Sequence, residues 1–247
     1  MAGHSKWANI RFRKAAQDAK RGKLFTKLIR EITVAARAGG GDADSNPSLR
    51  SAIDKALGAN MTRETVERAV KRGTGELDGD DIVEVRYEGY GTAGVAIMVE
   101  CATDNKNRTV GEVRHAFTKH GGNLGTDGSV AYLFTRLGTM LFEPGADEDK
   151  IMEIAVEAGA DDVESDEDGS IEVVTTPEAF HTVQNALLEA DLAPAQSEII
   201  QRAAVDVDMD AEGAEKVMRL IDALEELDDV QDVFTNASFP EDMAEAG

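Results

Sequence analysis

Residues 139–200 read TMLFEPGADEDKIMEIAVEAGADDVESDEDGSIEVVTTPEAFHTVQNALLEADLAPAQSEII. They alternate strand (139–142), helix (147–158), strand (161–164), an Asp168-Gly169 turn, strand (171–175), helix (177–190) and strand (195–200). Thr176-Pro177 marks a helix start, with a cap followed by proline. The order β-α-β-β-α-β is the split βαβ, or ferredoxin-like, arrangement. The pattern is complete within itself.

The flanks are not. Upstream, residues 82–88 alternate as a strand, 89–94 turn and 95–101 return as a buried strand. Residues 107–120 read as a helix with Val110, Val113 and Phe117 inward, and 129–134 as a further strand. This β-β-α-β unit is one helix and one strand short of a balanced two-layer sandwich. Downstream come a short strand (204–207), a helix capped by Asp210 with Val217, Leu220, Ile221 and Leu224 inward, and a strand (230–235). These supply the missing pieces. The expected partition is a ferredoxin-like acidic domain, 136–203, inserted into a discontinuous α+β domain, 82–135 and 204–236. The tail from Ala237 is expected to fray.

Residues 1–75 are expected to form a separate helical bundle. Leu24, Phe25, Leu28, Ile29, Ile32, Ala35 and Ala36 make a helical stripe ended by Gly39-Gly40-Gly41. Asn46-Pro47 caps a second helix, and Thr62 caps a third, with Met61 and Val66 at staple spacing. Ile10, Phe12, Ala15, Ala16 and Ala19 hint at an earlier helical piece, with a break expected at Gly22. The run 73–81, rich in Gly and Asp, reads as a linker. The fold class is therefore multidomain, an N-terminal helical bundle followed by two α+β domains of ferredoxin-like kind, one inserted in the other.

Charge divides the chain at the same linker. Residues 1–75 carry 16 Lys and Arg against 7 acids, whereas 76–247 carry 10 against 41. The whole chain has a formal charge of −22, yet residues 1–37 hold ten cations and two acids. A folded chain gains little from crowding like charges, so such a cluster calls for a polyanion whose counterions it releases. A solvated basic helix face is the plainer explanation, weakened by the acidity of the rest. The expected nucleic-acid contacts are Lys6, Trp7, Arg11, Arg13, Lys14, Lys20, Arg21, Lys23, Lys27 and Arg30. Lys106 and Arg108, in the polar loop before the 107–120 helix, are secondary candidates for a phosphate at free helix N–H groups. An ordinary capped helix start accounts for the same loop.

Other chemistry finds little support. Cys101 is the single cysteine, so neither an intrachain disulfide nor a cysteine zinc site can form. It reads as a buried small hydrophobe in an apolar run. His115 and His120 are five apart, not the i, i+4 of a helical metal pair. The 121–129 glycine loop lacks the lysine of a phosphate loop and follows a helix, so turn chemistry explains it better. Glu164-x-Asp166-x-Asp168-Gly169 resembles the start of a calcium loop, but Thr175 stands where the bidentate glutamate belongs. No catalytic residue, metal or cofactor is expected. No apolar run reaches the ~18–20 residues of a membrane span, and the basic N-terminus lacks the apolar core of a secretory signal. A cytoplasmic location is expected. The oligomeric state is not legible.

Several stretches resemble one family. Met1–Trp7 (MAGHSKW), residues 13–23 (RKAAQDAKRGK), 27–32 (KLIREI), 87–91 (YEGYG), 103–109 (TDNKNRT), 121–125 (GGNLG) and 128–132 (GSVAY) are similar to the signature of the YebC/PmpR family. The resemblance implies a helical domain and two α+β domains, no enzymatic activity, and nucleic-acid contacts at the N-terminal signature. It implies DNA-binding transcriptional regulators foremost. It also implies, as an alternative, ribosome-associated factors touching rRNA or tRNA that help synthesis through proline-rich stretches. An enzyme acting on a phosphate ligand through the 104–109 and 121–128 loops is a remote third reading.

Overall fold

The computed structural model describes residues 21–79 and 81–240. Helices α1 (Arg21–Gly39), α2 (Pro47–Gly58) and α3 (Arg63–Gly73) come first. Their starts follow from local chemistry. Asn46 Oδ1 accepts from Leu49 N at 3.1 Å with Pro47 in the first turn, and Thr62 Oγ1 accepts from Thr65 N at 3.3 Å, each satisfying an N–H with no helical partner. The apolar stripes meet in one core of Leu28, Ile32, Ala36, Leu49, Ala52, Ala56, Met61, Val66 and Ala69. Burying each large member stabilises by about 1.5–3 kcal/mol. Gly22 falls in the first turn of α1, and the helical piece expected before it lies outside the described residues. A single glycine costs only about 1 kcal/mol, less than the stripe that follows returns.

After the bundle the chain runs β1 (Val83–Tyr90), β2 (Ala96–Thr103), α4 (Lys106–Lys119), β3 (Asn123–Leu124), β4 (Phe134–Phe142), α5 (Glu148–Glu157), β5 (Asp162–Ser165), β6 (Ile171–Thr175), α6 (Phe180–Glu189), β7 (Gln196–Ala203), β8 (Val207–Asp208), α7 (Ala211–Glu225), β9 (Val230–Thr235) and β10 (Ala237–Ser238). The first sheet has the order β3-β1-β2-β9, with antiparallel pairing throughout. The return of β9 to the edge of β2 completes it. A Cβ at Gly122 would meet both Phe117 of α4 and Leu220 of α7, so these helices share the layer over β1.

One expected element is absent. Residues 129–134 are not the sheet's third strand. Ala131–Leu133 form a short 3-10 turn, and the strand that follows belongs to the second sheet. Glu88 is the cause. Its carboxylate accepts from the N–H groups of Gly128 (2.9 Å), Val130 (2.7 Å) and Ala131 (2.7 Å), donors a strand would have given to a ladder. The third strand is β3, paired with Gly89 and Tyr90.

The second sheet has the order β5-β6-β4-β7. With its strands taken in chain order this is the split βαβ arrangement that the pattern of residues 139–200 predicts. Its helices α5 and α6 bury Ile151, Ala155, Phe180, Val183 and Leu187 against Met140, Phe142, Ile171 and Val173. Sequence reading placed the start of β4 too late, since it begins at Phe134. It placed the short strand too early, at 204–207, whereas the strand is Val207–Asp208 and pairs in parallel with β10. Two compact units result. Among the described residues, one comprises those up to Ala131 with Glu215–Thr235, and the other comprises Tyr132–Ala214 with those from Asn236.

Candidate nucleic-acid interface

Of the expected contacts, Lys6, Trp7, Arg11, Arg13, Lys14 and Lys20 lie outside the described residues, as does the side chain of Arg21. Lys23, Lys27 and Arg30 stand on α1 at helical spacing, so they share one face. That face meets the turn between α7 and β9. Lys23 Nζ donates to the Glu226 carbonyl and lies 3.7 Å from Asp228 Oδ1. Lys27 Nζ donates to the Gln231 carbonyl at 3.4 Å. Arg30 donates to the Asp228 carbonyl and pairs with Asp229 at 2.7 Å. The carbonyl end of a helix carries partial negative charge, so a row of cations laid on the end of α7 is favoured before any carboxylate is counted. These three residues clamp α1 to the first sheet, a role sequence reading missed because the partners lie about two hundred residues away.

Asp229 is the centre of this clamp. Its side chain is 1% exposed. Arg108 Nη2 approaches its two oxygens at 2.9 and 2.7 Å, and the hydroxyls of Thr109 and Thr103 donate at 2.8 and 3.1 Å. Burial pushes the Asp229 carboxyl up. The hydrogen bonds from Arg108 and Thr109, the charge of Arg30 and the Thr103 hydroxyl outweigh it and hold the group below the usual carboxylate range. Arg108 is raised in turn by its hydrogen bonds to Asp229 and Asp104. Arg108, expected as a secondary phosphate contact, spends its guanidinium on Asp229 and Asp104, with its side chain 42% exposed. Asn105 caps α4 through Arg108 N at 3.1 Å, which leaves the loop as an ordinary helix start. The side chain of Lys106 is exposed and enters no ion pair among the described residues.

The glycine loop spends its amides within the chain as well: Gly121, Gly122, Gly125 and Ser129 donate to backbone carbonyls, and Gly128 donates to the Glu88 carboxylate. Burial raises this carboxyl, and the three N–H donors together with Arg86 outweigh that and lower it. Cys101 is buried, and burial with Asp229 and Glu100 nearby pushes its thiol up to about 12, far from a thiolate at neutral pH. Gly169 N closes the β5–β6 hairpin on the Asp166 carbonyl at 2.9 Å, and no group of three or more metal-binding side chains is assembled among the described residues. No described helix is long and apolar enough to cross a membrane.

Two family models cover almost the whole chain. The TACO1/YebC N-terminal domain matches residues 5–76, and the TACO1/YebC second and third domain matches residues 82–237. The chain belongs to the TACO1/YebC family. Relatives within it include a probable transcriptional regulatory protein of Coxiella burnetii, 61% identical over 98% of this chain and 100% of the relative. One of Pseudomonas fluorescens is 63% identical over 99% of each chain. One of Legionella pneumophila is 63% identical over 100% of this chain and 99% of the relative. The crystal structure of the conserved hypothetical protein Aq1575 from Aquifex aeolicus superposes with a TM-score of 0.79 at 49% identity, covering 90% of this chain and 92% of that one. That likeness fits a helical domain followed by α+β domains.

Proposed function

We propose that this TACO1/YebC chain is a regulator of gene expression that works by binding nucleic acid through its N-terminal cations. The observation that carries the reading is charge segregation: ten cations and two acids in residues 1–37 of a chain of net −22. The clamp engages Lys23, Lys27 and Arg30 within the chain, so the phosphate contacts are assigned chiefly to Lys6, Arg11, Arg13, Lys14, Lys20 and Arg21, with Trp7 as the stacking residue. The names of the relatives favour DNA and transcription. RNA and translation are favoured by side-chain chemistry: Trp7 and Phe12 stand among the N-terminal cations, and aromatics suit unstacked bases.

Sucrose-gradient sedimentation of a lysate, with and without nuclease, separates the two. Migration with ribosomes that nuclease abolishes supports RNA. Migration away from ribosomes, with retention on promoter-bearing duplex DNA, supports transcription. In either case Trp7→Ala is expected to weaken binding by about 1–3 kcal/mol with the melting temperature nearly unchanged.

A further inference from the structure

Helix α4 concentrates charge of the wrong sign for its surroundings. Residues 76–247 hold 10 Lys and Arg against 41 acids, and Lys106, Arg108, Arg114 and Lys119 all fall on this one helix. Elsewhere in that stretch Arg86, Arg202 and Arg219 are paired with Glu100, Glu172 and Glu215. On α4 only Arg108 is so held. Lys106, Arg114 and Lys119 are exposed and enter no ion pair among the described residues.

The face between them has its own chemistry. At 3.6 residues per turn, Asn107, Gly111, His115 and Thr118 form one outward stripe, and all four are exposed. Arg114 borders it on one side and Lys119 on the other, whereas Lys106, in register with Thr109, Val113 and Phe117, lies at the helix start on the sheet-facing side. The single acid of the helix, Glu112, lies two turns before Lys119. Thr118 Oγ1 donates to the Arg114 carbonyl at 2.9 Å, which leaves its oxygen as an acceptor. Gly111 is out of place in a helix interior, where glycine is destabilising relative to alanine. A Cβ there would meet nothing within 4 Å, so no packing within the chain requires it. Its effect is to let an outside backbone approach closely. The opposite face, with Val113, Ala116 and Phe117 buried, fixes the helix on the sheet, so the stripe is presented rigidly.

We propose that this outer face of α4 docks on the minor groove of an A-form RNA helix. Arg114 and Lys119 take phosphates, and Asn107, His115 and Thr118 meet 2′-hydroxyls around Gly111. The A-form minor groove is wide and shallow and displays 2′-hydroxyls beside phosphates, which matches an uncharged polar stripe flanked by cations. The minor groove of B-DNA, about 6 Å wide, does not admit a helix, and its major groove is read by side chains the stripe lacks apart from Asn107. The face extends about 18 Å from Asn107 to Lys119 at 1.5 Å per residue. The inference rests on the nucleic-acid reading above and adds a second surface to it.

Fluorescence anisotropy of the full chain tests it, with an RNA duplex of about 20 base pairs and a DNA duplex of the same sequence. The variant Arg114→Gln/Lys119→Gln is expected to lose roughly fivefold in RNA affinity at moderate salt and to flatten the log–log salt slope by about 1.5 to 2. Gly111→Gln is expected to weaken RNA binding about fivefold without lowering the melting temperature, which a merely structural glycine would not do. DNA affinity should change less than about twofold in both. An unchanged RNA affinity and slope in the double variant, with binding lost on removal of residues 1–20, overturns the α4 surface and leaves the nucleic-acid reading standing. Equal losses on both duplexes overturn the assignment to RNA. Wild-type chain that binds neither duplex overturns both.

Discussion

Asp229 ties α1, β2 and α4 together within the first unit. Its carboxylate joins Arg30 of α1, Arg108 of α4 and the hydroxyls of Thr103 and Thr109. Asp229→Asn removes the charge that two guanidinium groups were placed to meet, and is expected to cost about 3 kcal/mol, read as a lower urea midpoint at unchanged slope. Its pKa is depressed on folding, as is that of Glu88. The unfolded chain therefore binds protons more readily. The contribution of both groups is full above the ordinary carboxylate range of about 4 and is lost as pH falls through the lower folded values. Wild-type stability should fall in that acid window, and Asp229→Asn should show a shallower fall. Glu88→Gln keeps one acceptor oxygen for three N–H donors, and is expected to speed amide exchange at Gly128, Val130 and Ala131. Unchanged protection there would mean the loop is held by something else. Neither residue's role was legible in the sequence, because each acts on groups about 40 to 200 positions away, and a carboxylate in a string of carboxylates carries no local mark.

The elements themselves were largely legible, and the reason is range. Asn46, Thr62 and Asp210 each cap a helix through an N–H three positions on, so the sequence window contains the whole interaction. The 139–200 pattern was readable because each strand and helix carries its own period. Residues 129–134 were misread because their alternation suits a strand, while the N–H groups that would make one are claimed by Glu88. The row on α1 was read as part of the nucleic-acid contacts because its acceptors are carbonyls of the α7–β9 turn and of Gln231 in β9, which have no sequence signature. Its members are not equivalent. Arg30 is 16% exposed in its side chain and Lys23 is 46%. Arg30→Gln is expected to cost about 2–3 kcal/mol by leaving Asp229 undercompensated, whereas Lys23→Gln should cost under about 1 kcal/mol. Equal costs in thermal unfolding would contradict the clamp.

At the scale of the whole molecule, the chain leaves its first unit after Ala131 and returns at Glu215. The second unit has its own sheet and core, and a fragment 132–203 is expected to unfold cooperatively by itself. A chain cut after Val207 loses α7 and β9, exposing Ile97 and Val99 along β2, and is expected to aggregate. A soluble, cooperative 1–207 fragment would contradict the dependence of the first sheet on its late-returning strand. Charge is distributed on the same scale, with cations gathered ahead of the bundle and acids in the remainder. The most direct test of the function is therefore the salt dependence of nucleic-acid binding by the full chain and by a chain lacking residues 1–20, measured side by side on RNA and DNA. Neutralising ~5 phosphates predicts a log–log slope of roughly −3.5 to −4.5 for the full chain, with a clearly shallower slope for the shortened one. The same steep slope in both chains would contradict the assignment of binding to the N-terminal cations.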